Sequence, residues 1–149
     1  MGFLDKLFGI NNINKPEKVT TVTENTSDSA PFGVSWGTKM PAEENQFNSG
    51  KPYDQYFYDI FTEAFPTYQI NNEKIRKGKA TLFTFYNGSI KELVVEVMSE
   101  NSSAMSVCFN CHKEHVPYLR FYYNHEGWWN TKKYVLNRVR NSLGMAVQD

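Results

Sequence analysis

An Asn-Gly pair set between two β-rich runs constrains the fold of this chain more than any other stretch. Lys79-Ala80-Thr81-Leu82-Phe83-Thr84-Phe85-Tyr86 leads into Asn87-Gly88, and Ile90-Lys91-Glu92-Leu93-Val94-Val95-Glu96-Val97-Met98 follows. β-Branched and aromatic side chains suit a pleated, half-buried surface, and Asn-Gly adopts the positive φ angles that a two-residue type I′ turn requires. The reading is a β-hairpin. With Asn87 and Gly88 as the loop, Tyr86 faces Ser89, and counting back pairs Thr84 with Lys91, Leu82 with Leu93, Ala80 with Val95 and Lys79 with Glu96. Alternation then predicts Leu82, Leu93, Val95 and Val97 on a core face, with Val94, Glu96 and Met98 on the other. Glu96 becomes a carboxylate in the middle of an apolar strand. Such a group is either paired, with Lys79 across the hairpin, or turned toward a cleft.

The surrounding chain supplies partners for that hairpin. At 149 residues it is most simply one folded unit, with residues 1–50 as an N-terminal segment and arm and residues 51–149 as the domain. Tyr53, Tyr56, Phe57, Ile60, Phe61 and Ala64 recur at helical spacing, and Pro66 stops the run. Core packing is the plain reading of that aromatic stripe. Thr67-Tyr68-Gln69-Ile70 reads as a short first strand, and residues 71–78 as a polar connector to the hairpin. After it, Asn101-Ser102-Ser103 offers caps for a helix carrying Ala104, Val107, Cys108, Cys111 and His115 along one stripe. Pro117 ends that helix. Val116-Pro117-Tyr118-Leu119-Arg120-Phe121-Tyr122-Tyr123 then alternates as a fourth strand, with Leu119, Phe121 and Tyr123 on one side and Tyr118, Arg120 and Tyr122 on the other. A last helix over residues 132–143, capped by Asn130 or Thr131, buries Val135, Leu136, Val139 and Leu143 and leaves Lys132, Lys133, Arg138 and Arg140 partly exposed.

The N-terminal fifty residues differ in kind. Residues 11–30 are dominated by Asn, Thr, Ser and Glu, too little apolar surface to offset the entropy of ordering, and read as a flexible linker. Phe32, Val34, Trp36 and Met40 follow, so residues 32–47 read as an irregular arm packed on the domain. The first residues place Phe3, Leu4, Leu7 and Phe8 in a short amphipathic turn able to touch a membrane surface or a partner groove, or to fray. Position 6 is Lys rather than Ser or Thr, which argues against myristoylation at Gly2.

Charge and cysteine usage narrow the classes further. Formal net charge is zero, divided as −3 over residues 1–100 and +3 over 101–149, so no general drive toward nucleic acid or anionic lipid exists. No apolar run reaches the ~18 residues of a membrane span, and no secretory signal is evident. Together with two cysteines, this points to a reducing cytoplasm.

Three motifs carry chemistry on paper. Cys108-Phe109-Asn110-Cys111-His112 has the spacing of a c-type haem attachment site, which requires export. Cys108, Cys111 and His115, with His125 as a fourth ligand, have the donor types of a zinc site, but no second cysteine pair accompanies them. A redox pair is a further reading, and small residues buried on a helix the simplest. Gly127-Trp128-Trp129-Asn130-Thr131 offers two adjacent rings, and two readings compete: one ring stacks on a base or another flat ligand, or one ring covers the sheet edge while Asn130 caps the helix.

The predicted order over residues 53–143 is helix, strand, strand, strand, helix, strand, helix, with Val116-Pro117-Tyr118-Leu119-Arg120-Phe121 leading into the last helix. In this order the chain resembles the core of the PD-(D/E)XK nuclease superfamily, and its closing strand is similar to that of the very-short-patch-repair-like branch. The resemblance implies an α/β (α+β) fold: a small mixed sheet in αβββαβα order with a restriction-endonuclease-like core, preceded by a flexible segment. It also implies magnesium held by an Asp on the second strand and an acid-x-Lys on the third, because phosphodiester cleavage needs charge compensation at both oxygens. Carried over, Glu96-Val97-Met98 supplies the acid and lacks the lysine, and residues 80–86 contain no Asp or Glu. Lys79, Lys113 or Glu63 would have to substitute. One carboxylate makes a poor magnesium site, so the expected function is a non-catalytic binding or accessory module. It would meet nucleic acid or protein through a face carrying Glu96, Arg120, Trp128, Trp129 and Asn130. A magnesium-dependent nuclease with migrated residues and a zinc-bound interaction module are the alternatives.

Overall fold

The computed structural model describes residues 32–148. The expectations for Phe3, Leu4, Leu7 and Phe8 and for the linker at 11–30 lie outside the described residues. The described chain is a mixed α/β fold: α1 (Tyr53–Ala64), β1 (Gln69–Ile75), β2 (Ala80–Asn87), β3 (Ile90–Met98), α2 (Ser106–Glu114), β4 (Tyr118–Tyr122) and α3 (Lys132–Ser142). The four strands form one open sheet in the order β1-β2-β3-β4, antiparallel except for the β3–β4 pair, which is parallel. A parallel pair cannot be joined by a tight turn, and α2 makes the crossover. No helix among the described residues is long and apolar enough to cross a membrane.

One side of the sheet holds the aromatic core. Tyr56, Phe57, Ile60 and Phe61 of α1 are buried as their spacing predicts, and Pro66 follows a helix that ends with Phe65 as its C-cap. Phe57 and Phe61 meet Phe83 of β2, and Phe57 also meets Phe121 of β4. Val135, Leu136 and Val139 of α3 close the same cluster. Arg138, expected to be partly exposed, is buried: its guanidinium lies 4.8 Å from the Phe121 ring centre, and Nη1 donates to the Arg120 carbonyl. A planar cation laid over an aromatic ring keeps part of its stabilisation out of water, which is why arginine is tolerated there.

The hairpin register departs from expectation. Asn87 pairs with Ile90, so Gly88 and Ser89 are the loop residues, and only Gly88 of the turn has positive φ, at 66°. That is the pattern of a type II′ turn with glycine first. The register then shifts between Phe85 and Tyr86, leaving Glu92 unpaired in the ladder, so that Phe83 opposes Val95 and Leu82 opposes Glu96. A one-residue shift exchanges the two faces of a strand. The bulge brings Phe83 and Phe85, both fully buried, onto the core side, where Leu82 was expected, and separates Lys79 from the residue opposite Glu96. Two phenylalanines bury more apolar area than one leucine, and their packing sets the register. Glu92 accepts from the Tyr68 hydroxyl at 2.9 Å.

β1 also differs. It runs through Gln69–Ile75, taking in most of the stretch read as connector, because β2 offers a full ladder and the polar side chains of an edge strand face water. Lys74 pairs with Asp54 of α1 at 2.8 Å, holding the Asp54 carboxyl below its usual range. Helix α2 begins at Ser106 rather than in the Asn101-Ser102-Ser103 run, and its N-cap, Met105, makes no side-chain cap.

Residues 32–50 contain neither helix nor regular strand but are tied to the domain at several points. Trp36 bridges Trp128, Asn45 bridges Thr131, and Gln46 Nε2 donates to the Tyr123 carbonyl at 2.9 Å. On the outer edge of β4, the Arg120 and Tyr122 carbonyls accept from Arg138 and Asn130, and just past the strand the Tyr123 carbonyl accepts from Gln46.

Candidate functional site

The second side of the sheet is built around Glu96. Alternation on β3 sends Val94, Glu96 and Met98 away from the aromatic core, and the parallel register sets Glu96 beside Arg120 of β4. Tyr118 and Arg120 share that face. Glu96 is fully buried. A carboxylate there requires partners, and both oxygens have one: Arg76 Nη1 donates to Oε2 and the Tyr118 hydroxyl to Oε1. Arg120 Nη2 lies 3.9 Å from Oε1, while Arg120 Nε donates to the Tyr118 oxygen at 2.9 Å and Nη2 to the Ala104 carbonyl at 3.0 Å.

Local backbone explains how Arg76 arrives. Arg76, Lys77 and Gly78 all take positive φ in the β1–β2 turn, an unusual conformation for the two non-glycine residues. Burial, reinforced by the charge of Glu96, raises the Tyr118 phenol well above its ordinary range, so it is a neutral donor. Arg120 stays protonated: burial opposes its charge, but donation from its guanidinium to the Tyr118 oxygen favours the cation. Two guanidiniums therefore share one carboxylate, and the cluster holds one surplus positive charge.

Beside it opens a cleft of about 410 Å³, lined by Arg76, Lys79, Ala80, Met98, Ser99, Asn101 and Ser102. Thus Lys79 lies near the network, though in the turn instead of across a strand pair. Lys113 is exposed on α2, and exposed Glu63 pairs with Lys132 at 3.2 Å on the far side of the fold. Neither joins the Glu96 cluster. Glu73 shares this sheet face, in register with Leu82 and so two strand spacings, roughly 10 Å of backbone, from Glu96.

The remaining predicted residues are dispersed. Trp128 is buried in the aromatic core against Tyr134, and half-buried Trp129 donates its indole N–H to the Gly37 carbonyl at 2.9 Å with its ring edge-on to Phe47. Asn130 is fully buried in left-handed backbone (φ 53°), donating to Gln46 Oε1 and the Tyr122 carbonyl, while its own carbonyl accepts from Tyr56. These three residues clasp the arm onto the core. Trp128 thus lies on the opposite side of the sheet from Glu96 and Arg120, and Asn130 at the margin of β4, against the single binding face expected from the sequence.

Cys108 and Cys111 are free, buried thiols against the second sheet face, and burial pushes Cys111 up to about 11. His115 is exposed in left-handed backbone at the end of α2. Among the described residues no group of three or more His, Cys, Asp or Glu side chains converges to hold a metal ion.

Sequence patterning does not single out Arg76, which reads as connector, Asn101 and Ser102, which read as caps, or Ser99, which lies between the hairpin and those caps. Alternation puts Tyr118 on the face of Arg120 but assigns it no role. The cation count in Arg76-Lys77-Gly78-Lys79 was a usable signal, since a buried acid on β3 calls for a cation from an adjacent turn. Comparison of the chain with protein-family models, with curated proteins and with solved structures finds no match.

Proposed function

We propose that this protein is a non-catalytic binding or accessory module whose restriction-endonuclease-like core is used as a scaffold. The observation that carries this reading is the state of Glu96. Magnesium needs carboxylate oxygens at about 2.0–2.1 Å in near-octahedral geometry. Both Glu96 oxygens are occupied by protein donors in a fully buried site, and Met98 stands where the resemblance calls for lysine. A metal would have to displace Arg76 and leave its guanidinium without the carboxylate. The residues thus serve charge compensation within the fold, not water activation.

The test is an assay of the purified chain on single- and double-stranded DNA with magnesium or manganese. No cleavage above buffer is expected, with Glu96→Gln indistinguishable from wild type in turnover and less stable to heat. Metal-dependent cleavage abolished by Glu96→Gln would overturn the reading in favour of a nuclease.

A further inference from the structure

We infer that the cleft beside the Glu96 network is a binding site for the phosphoryl group of a small ligand, with Arg76 and Lys79 as its cations and Ser99, Asn101 and Ser102 as its polar wall. This deepens the scaffold reading and rests on it, because Arg76 can present charge to a ligand only while Glu96 holds it rather than a metal.

Four observations converge on an anion. Among the described residues no carboxylate lines the cleft, although Arg76 and Lys79 both do. The buried cluster behind it carries two guanidiniums against one carboxylate and a neutral phenol, so its surplus charge is positive. Arg76 is not wholly consumed by Glu96: only Nη1 is engaged there, and its side chain is 23% exposed at the cleft wall. A guanidinium has five N–H donors in a planar fork, leaving several for a ligand oxygen. Finally, the hydroxyl oxygens of Ser99 and Ser102 already accept from the loop, Ser99 from Asn101 N and Asn124 Nδ2 and Ser102 from Ala104 N, so each hydroxyl proton is left to donate outward.

The wall chemistry fits a phosphoryl group on a small body. Two cations match a dianion, and hydroxyl and amide donors match its remaining oxygens. Met98 and Ala80 provide an apolar floor for the attached group. A volume of about 410 Å³ is in the range of small-molecule sites, and a mononucleotide is a suitable probe.

The experiment titrates adenosine 5′-monophosphate, inorganic phosphate, adenosine and acetate into the full ¹⁵N-labelled chain, following amide shifts. Adenosine monophosphate and phosphate are expected to move the Lys79, Ser99, Asn101 and Ser102 amides, with adenosine and acetate at least tenfold weaker. Lys79→Glu, an exposed position, and the near-isosteric Asn101→Asp each place an anion in the cleft and should weaken adenosine monophosphate at least tenfold while the spectrum stays that of a folded protein. The inference is overturned if neither substitution changes affinity, if adenosine or acetate binds as tightly as the phosphorylated probes, or if no probe binds at millimolar concentration. Metal-dependent DNA cleavage would sink the scaffold reading, whereas absent shifts in metal-free protein that cleaves nothing would sink this inference alone, so the two failures are separable.

Discussion

The two faces of the sheet are held by different physics. Phe57, Phe61, Phe83, Phe85 and Phe121 fill one face with rings that need only be apolar and about the right size. The other depends on four polar side chains, Arg76, Glu96, Tyr118 and Arg120, each of which must stand in one place. The aromatic face tolerates approximation. The polar face does not, because losing one member strands a buried charge, whereas losing all of them strands none.

The largest expected effects test that contrast directly. Phe57→Ala should destabilise by about 3–5 kcal/mol through a cavity, and Glu96→Ala by about the same through uncompensated guanidiniums, both read by urea unfolding. The faces part company in the combined variant. Replacing Glu96, Arg76 and Arg120 together by leucine and methionine should recover most of the loss, whereas no second truncation rescues Phe57→Ala. A combined variant as unstable as Glu96→Ala alone would end the distinction.

Smaller effects sharpen it. Asn130→Ala should cost about 2–3 kcal/mol, from two lost hydrogen bonds and left-handed backbone that alanine resists, and Asn130→Gly about 1 kcal/mol less, since glycine accepts that backbone. Equal losses would show that hydrogen bonding alone holds the arm. A last effect, absent at neutral pH, lies in pH. With the Cys111 thiol raised by burial to about 11 from an ordinary 9.0, the unfolded thiol has lost its proton between these values and the folded one has not. Unfolding then releases a proton, so stability is fully present below about pH 9 and declines as pH rises toward 11. Cys111→Ala should flatten that part of the stability curve, and an unchanged slope would place the thiol in water.

The aromatic face was legible in the sequence and the polar face only in part, for a reason visible in particular residues. Tyr56, Phe57, Ile60 and Phe61 announce their helix by spacing, and Leu119 and Phe121 their strand by alternation, since burial of one stripe imposes a period. Glu96 and Arg120 were placed together by the same rule. Arg76 was not, because a turn has no period, and its reach depends on two consecutive residues in positive φ that composition does not reveal. Leu82 was misplaced because one unpaired residue, Glu92, reverses the face assignment of everything before it. Trp128 and Asn130 looked like ligand contacts because their partners, Trp36 and Gln46, lie more than eighty residues away in an arm with no pattern of its own.

That arm, together with α3, has a directional effect on the sheet. Side chains from Arg138 and Asn130 occupy the Arg120 and Tyr122 carbonyls along the β4 margin and Gln46 the Tyr123 carbonyl just past its end, while among the described residues β1 is bordered by no further strand. Among the described residues the β1 margin is therefore the selvage left open to lengthening, and the β4 margin is the obstructed one. An added strand, from whatever source, would have to approach along Gln69–Ile75, where the exposed charges of Glu73 and Lys74 act as gatekeepers against indiscriminate growth.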